Sequence, residues 1–323
     1  MPHAIQISET GGPEVLRWVD VPTPRPGPGE ALLRQTAIGV NFIDTYQRSG
    51  LYKLPLPVVL GNEGAGIVEA VGSGVTEVKV GDRVVYEGSL GSYAEERVVP
   101  AARLNRIPDG IDDKTAAAAC LKGLTAYYLL RRTFKVEPGH TILFHAAAGG
   151  VGQIACQWAK ALGATVIGTV GSDDKVELAR RNGCDHVINY RKEDFVGRVK
   201  ELTSGEGVDV AYDAVGKDTF PGSLDCLKKL GMWVSFGQSS GTPPPFPVLL
   251  LLEKGSIFVT RPTIAHYLAK RADLEAAHAA LFAAVVDGSI KVAIGQEFPL
   301  REAAAAHRAL ESRKTVGATV LVP

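Results

Sequence analysis

Six consecutive residues hold the densest chemistry in the chain: Ala147-Ala148-Gly149-Gly150-Val151-Gly152. Set against the pattern G-x-G-x-x-G, Ala147 fills the first glycine slot, Gly149 the second and Gly152 the third. Backbone without a Cβ can approach a pyrophosphate closely. A helix opening here offers free N–H groups and the positive end of its dipole, and the last glycine lets that helix pack on the strand before it. A dinucleotide site is expected, with a tight turn that binds nothing as the alternative.

The base and ribose end of such a site lies at the end of the second strand, about 20 residues further on, where an NAD site places an acidic residue. Here the chain reads Val170-Gly171-Ser172-Asp173-Asp174-Lys175. Gly171 leaves room, and Ser172 and Lys175 can donate to a 2′-phosphate. Asp173 and Asp174 are expected to act as helix N-cap and first turn. NADPH is favoured over NADH, although Lys175 also reads as an ordinary solvated helix charge.

The elements that position these residues alternate regularly. Strands are expected at 141–145, 165–170, 187–189, 208–213 and 232–236, and helices at 151–162, 174–182, 193–202 and 220–229. Strand, helix and strand at this spacing imply parallel βαβ units, a doubly wound sheet in an α/β fold. A β-rich stretch at 256–260 could close the sheet at an edge. Before this region, to about residue 106, short β segments at 31–38, 64–71, 83–86 and 94–99 are punctuated by Gly and Pro, which predicts an irregular, mostly β domain. Residues 22–29, with four prolines, form an extended surface connection. Asp112 or Asp113 can cap a helix running toward Leu130, alanine-rich helices are expected at 268–286 and 301–313, and a last strand at 318–322.

Composition excludes several functions. The chain has 323 residues, 46% hydrophobic and 22% charged, with 35 basic residues balancing 35 acidic ones, enough for two globular domains and without a global field to attract phosphate backbones. Nucleic-acid binding is not expected. Four cysteines lie dozens of residues apart without a CxxC pair, unlike a disulfide framework or a zinc knuckle, and a reducing cytoplasm is the simplest setting. The N-terminus shows no basic cluster followed by an apolar run, so no secretory leader is expected. The apolar run 248–252 is far short of the roughly 20 residues that cross a bilayer, and is a buried segment or an interface.

Several runs together resemble one family. Asn41-Phe42-Ile43-Asp44-Thr45-Tyr46, Gly61-Asn62-Glu63-Gly64-Ala65-Gly66, Leu121-Lys122-Gly123-Leu124-Thr125-Ala126 and the glycine-rich run after His145 are similar to the NADPH:quinone oxidoreductases. These form the zeta-crystallin-like branch of the medium-chain dehydrogenase/reductase superfamily. Similarity continues through Ile188-Asn189-Tyr190, Ser235-Phe236-Gly237 and Leu310-Glu311-Ser312-Arg313, over nearly the whole chain. The resemblance implies a GroES-like catalytic domain from residues 1–122 and 265–323, with a Rossmann domain, 123–264, inserted between. It implies further that Tyr190 lies against the adenosine end with Ser172 and Lys175, that Phe236 and Ser239 line the cofactor, and that Arg313 returns toward it. A homodimer joined through strand 256–260 is also implied, since that edge would otherwise leave backbone groups unpaired.

Zinc alcohol dehydrogenases of the same superfamily place a Cys where Asn41 stands and a His where Asn62 stands. Asn is a poor zinc ligand and the His residues show no metal-binding spacing, so no metal site is expected and Cys120 reads as a packed thiol. Without a Lewis acid the acceptor must already be electrophilic, which points to a quinone. Asn41 and Tyr46 are the natural donors to the charge growing on its oxygen, or else a turn cap and a core aromatic; Asp44 orders their loop. An enone reductase would use the same residues. An RNA-binding or lens-type structural role, credited to some zeta-crystallin relatives, is disfavoured by the neutral charge.

Overall fold

The computed structural model describes all 323 residues and divides them into two compact units. One comprises Met1–Leu124, Leu268–Val286 and Val292–Pro323, and the other Thr125–Tyr267 and Asp287–Lys291.

In the first unit the 11-residue strand Glu30–Val40 is the organising element. It pairs antiparallel with Glu63–Val71, Glu96–Pro100 and Ala318–Val322, and the path continues through Arg83–Glu87 to Asn105–Arg106. Its alternation buries Ala31 and Leu33 against Val68, Val84, Tyr86 and Leu104. Farther along, Ile38 and Val40 pack with Ile5, Leu60, Tyr93 and Leu321. The helix Phe42–Arg48 follows that strand directly, and Ile38 lies opposite Gly64 in the neighbouring strand. The segment from Asn41, expected as a loop, is thus a helix start anchored in the unit's main sheet. Strands at His3–Ile7, Arg17–Asp20 and Ile294–Pro299 were not anticipated. The last half-buries Ile294, Gln296 and Phe298 on one face, with a polar Gln between the two apolar residues.

The second unit is a six-stranded, all-parallel sheet in the order His186–Asn189, Thr165–Val170, Thr141–Phe144, Val208–Asp213, Leu227–Ser235, Phe258–Thr260. This is the 3-2-1-4-5-6 order of a doubly wound dinucleotide fold. Its core joins Leu143, Ile167, Ile188, Val208, Ala211 and Trp233.

Local expectations hold at most ends. Asp112 accepts the Thr115 backbone N–H (2.9 Å) and so caps the helix Asp113–Tyr128. Gly163 and Gly183 follow their helices with φ of +84° and +92°, the left-handed turn that glycine makes at least cost. Four differences stand out. Residues 220–229 carry only the short helix Gly222–Asp225, because the strand begins at Leu227, which pairs with Val208 before a bulge. The helix expected from 268 begins at Arg271. The helix expected over 174–182 divides into a 3₁₀ turn, Asp173–Lys175, and the α-helix Val176–Arg181. Of the run 248–252, Leu250 and Leu251 pack against the core while Val248, Leu249 and Leu252 are exposed, so it is not a buried segment and the interface alternative remains. No helix is long and apolar enough to cross a membrane.

Candidate active site

The glycine-rich turn follows the central strand Thr141–Phe144 and opens the 12-residue helix Gly150–Ala161, with Gly149 at its N-cap. Ala146 takes the left-handed conformation (φ +56°) that makes the turn. A Cβ on Gly152 would lie 2.4 Å from the Ala146 carbonyl oxygen and 2.7 Å from that of Ala147, so only hydrogen fits there. Gly150, Val151 and Gly152 form the helix's first turn, whose N–H groups have no partner within the helix. A positive dipole end and free donors are what an anionic group needs.

At the end of the next strand, the Tyr190 N–H donates to the Val170 carbonyl (3.2 Å), and the Tyr190 ring stands beside Gly171, where an added Cβ would come 3.3 Å from its hydroxyl. Ser172, not an aspartate, occupies the N-cap position of the following turn, and makes no side-chain cap bond. Asp173 instead accepts from Asn189 Nδ2 (2.7 Å) and pairs with Lys192, which corrects its expected capping role. Bound that way, it faces the end of the neighbouring strand. Burial lowers the Lys175 ammonium's pKa, Asp174 opposes this, and the Arg191 charge lowers it again. Arg191 is therefore a second cation at this corner, one the sequence reading missed.

Phe236 and Ser239 follow the fifth strand of the sheet. The Phe236 N–H donates to the Asp213 carbonyl (2.8 Å), the Ser239 N–H to that of Ala214 (3.0 Å), and the Phe236 ring lies 5.7 Å from Phe144. Both residues thus sit at the carboxyl ends of the central strands, where ligands bind in open α/β sheets. Asp213 sets this loop: its buried carboxylate accepts from the Val215 (2.8 Å) and Gly216 (3.0 Å) N–H groups and from the Thr219 (2.8 Å) and Ser223 (2.8 Å) hydroxyls.

In the first unit a buried polar chain surrounds Asn41. The Asp44 carboxylate accepts the Asn41 N–H (2.8 Å), Asn62 Nδ2 (2.6 Å) and the Tyr93 hydroxyl (3.0 Å), while Asp44's own N–H donates to the Asn41 carbonyl. Burial pushes the Asp44 carboxyl up to about 6 against the pull of these bonds. Tyr93 also meets His307 Nε2 (2.9 Å), whose Nδ1 meets Arg48 (3.0 Å), and Arg48 forks onto Glu311 (2.6 and 3.1 Å). Arg48 can only donate, so His307 accepts at Nδ1 and carries its proton on Nε2. Burial and the Arg48 charge hold His307 down to about 3, hence neutral.

Asn41 Nδ2 donates to Glu63 (2.8 Å), which also accepts Lys122 Nζ (2.7 Å) and the Leu121 N–H (2.6 Å). Tyr46 is half-buried, its ring 6.2 Å from Phe42 and 5.5 Å from Tyr52, so it is not a core aromatic. Arg313 follows the helix Ala303–Glu311 with a left-handed φ of +57°. Of this network the sequence reading had Asn41, Tyr46 and Asp44; Glu63 and Lys122 lay in its quoted runs without a role, and Tyr93, Arg48 and His307 carried no local signal.

Comparison with known proteins decides the family. Residues 27–109 match the family described as "Alcohol dehydrogenase GroES-like domain" and 150–281 that described as "Zinc-binding dehydrogenase". The quinone oxidoreductase of Pseudomonas aeruginosa is 53% identical over the full length of both chains. The chain belongs to the quinone oxidoreductase family. A solved structure of the Escherichia coli quinone oxidoreductase complexed with NADPH is 50% identical and superimposes with a TM-score of 0.98, over 99% of this chain and 100% of that one. Another relative, the 2-haloacrylate reductase of a Burkholderia species, is 48% identical over 100% of this chain and 99% of its own.

The zinc in the second family description does not fit this quinone oxidoreductase family member. Asn41 points an N–H at Glu63, and Asn62 points its own at Asp44 and Gln47, and an amide N–H has no lone pair for a metal. No group of three or more His, Cys, Asp or Glu side chains forms a metal cluster.

Proposed function

We propose that the protein reduces quinones with NADPH and without a metal. The observations that carry this are a glycine cradle and a cationic corner for the cofactor in one unit and, in the other, a helix start that presents amides and a phenol for the acceptor. Residues 123–264 serve the cofactor, and residues 1–122 with 265–323 the acceptor. Ala147, Gly149, Gly150, Val151 and Gly152 take the pyrophosphate. Ser172 and Lys175, with Tyr190 and Arg191, take the 2′-phosphate, since Asp173 is already engaged by Asn189 and Lys192. Phe236, Ser239 and Arg313 line the cofactor.

Bound there, NADPH supplies a hydride, which with one solvent proton converts a quinone to its hydroquinone. Asn41 and Tyr46 donate hydrogen bonds to the quinone oxygen as negative charge grows on it. Asp44 holds the start of their helix through the Asn41 N–H and Asn62. The similarity to a 2-haloacrylate reductase supports a second reading, reduction of a conjugated C=C bond. Steady-state rates with 1,4-benzoquinone against an α,β-enal separate them; quinone is expected to be the faster substrate, and a faster enal reverses the assignment.

The protein works as a homodimer in the reducing cytoplasm, without nucleic acid. Supporting the dimer, the edge strand Phe258–Thr260 pairs only with Leu227–Ser235 and leaves Phe258 and Val259 exposed, near the exposed apolar helix Leu249–Glu253. Supporting the compartment, all four cysteines are free thiols.

A further inference from the structure

We infer that Glu63 and Lys122 are positioning residues that fix the side-chain amide of Asn41 with its nitrogen end held and its orientation set; the inference rests on the acceptor-side role proposed for Asn41. A primary amide has a donor end and an acceptor end of nearly the same shape, and only its partners decide which way it faces. The Asn41 backbone is already pinned, its N–H on Asp44 (2.8 Å) and its carbonyl on the Asp44 N–H (3.1 Å). The side chain is engaged as well, since it accepts the Asp44 N–H in a capping box, which turns its oxygen toward the helix.

Glu63 holds the other end of the same amide. Its Oε1 receives Asn41 Nδ2 at 2.8 Å, and an ionised carboxylate accepts but cannot donate. A flipped amide would set Oδ1 against that oxygen, lone pair against lone pair. Nδ2 carries a second hydrogen, which the bond to Glu63 leaves for a quinone oxygen.

The device works only while Glu63 stays charged, because a protonated carboxyl can donate and would accept either face of the amide. Lys122 supplies the compensating charge: its Nζ lies 2.7 Å from the same Oε1, with 5% of the residue exposed, while the Leu121 N–H fills Oε2 at 2.6 Å. Placement of the carboxylate depends on Gly39, where a Cβ would lie 2.0 Å from Oε1. An ammonium, a carboxylate and an amide thus stand in line, and the last of the three is the acceptor-side donor.

A double-mutant cycle on kcat for 1,4-benzoquinone tests this against a plain structural tie between strand and helix. Lys122→Met and Asn41→Ala should each lower kcat by about tenfold while the Kd of NADPH stays within about twofold. If Lys122 acts through Asn41, Lys122→Met adds nothing once Asn41 is alanine, and Lys122→Arg restores most of the loss. Glu63→Gln keeps the volume but can both donate and accept, so it should behave as Lys122→Met does and serves where that variant fails to fold. Full additivity in the double variant, or an undiminished kcat in a folded Lys122→Met, overturns the inference and leaves the role of Asn41 standing. An unchanged kcat in Asn41→Ala overturns both.

Discussion

The Cβ of Ala147 and the bare Cα of Gly168 face each other across adjacent strand ends: a Cβ added at 168 would come 2.8 Å from that of Ala147. The methyl that the glycine motif lacks room for in its first slot is accommodated because the neighbouring strand carries none. Gly168→Ala should therefore destabilise the fold by about 1–3 kcal/mol, the usual cost of overpacking a core. The added methyl also meets Cys184 Sγ at 2.5 Å, so combining it with Ala147→Gly should recover only part of the loss. Thermal unfolding of both variants checks this, and a wild-type melting temperature in Gly168→Ala contradicts it.

Lys175 should set the choice of cofactor. A charge-assisted bond to a 2′-phosphate contributes about 1.5–3 kcal/mol, or on the order of 10- to 150-fold in affinity. Lys175→Ala should weaken NADPH by about that factor and leave NADH nearly unchanged. Arg191→Ala should do the same to a smaller degree, since Arg191 is exposed and screened by salt. Equal loss of both cofactors in Lys175→Ala would remove it from the phosphate corner.

Tyr46→Phe removes one hydroxyl and keeps the ring contacts with Phe42 and Tyr52. Slower quinone turnover with unchanged NADPH affinity is the expected result, about tenfold if the hydroxyl donates to the reacting oxygen. Weaker NADPH binding at full turnover would assign Tyr46 to the cofactor side.

Acid should destabilise the fold through its buried histidines. Burial holds His307 and His278 down to about 3 and lowers His145 as well, so as pH falls through the ordinary His range the unfolded chain takes up protons that the folded one refuses. Asp44, pushed up to about 6, and Glu87, also raised by burial, work the other way, because the folded state takes up their protons first. Each refused proton costs up to about 1.4 kcal/mol per pH unit below the ordinary His range. Asp44→Asn deletes one opposing proton and should steepen the loss of stability below about pH 6 in urea titrations; an unchanged slope would mean Asp44 titrates alike in both states.

Much of this was legible in sequence wherever one local rule decides. The alternation of apolar runs and helical spacing marked the parallel sheet, Gly149 and Gly152 marked the turn, and Gly163 and Gly183 the helix ends. What escaped depends on residues far apart in the chain. His307 meets Tyr93 and Arg48 across more than two hundred positions, and no spacing rule connects them. Asp173 looked like a cap because an Asp before a helix usually is one, yet Asn189 and Lys192 on the adjoining strand end compete for it and win. The helix expected at 220–229 lost to pairing of Leu227 with Val208, a tertiary contact.

The central claim is metal-free reduction of quinone by NADPH, and one measurement meets it head-on. After exhaustive dialysis against a strong chelator, kcat/KM for 1,4-benzoquinone is measured with NADPH and with NADH, together with the hydroquinone formed per cofactor oxidised. Undiminished activity, a clear preference for NADPH and one hydroquinone per NADPH are predicted. Activity lost on chelation and restored by zinc, or cofactor oxidation that does not depend on the quinone, would contradict it.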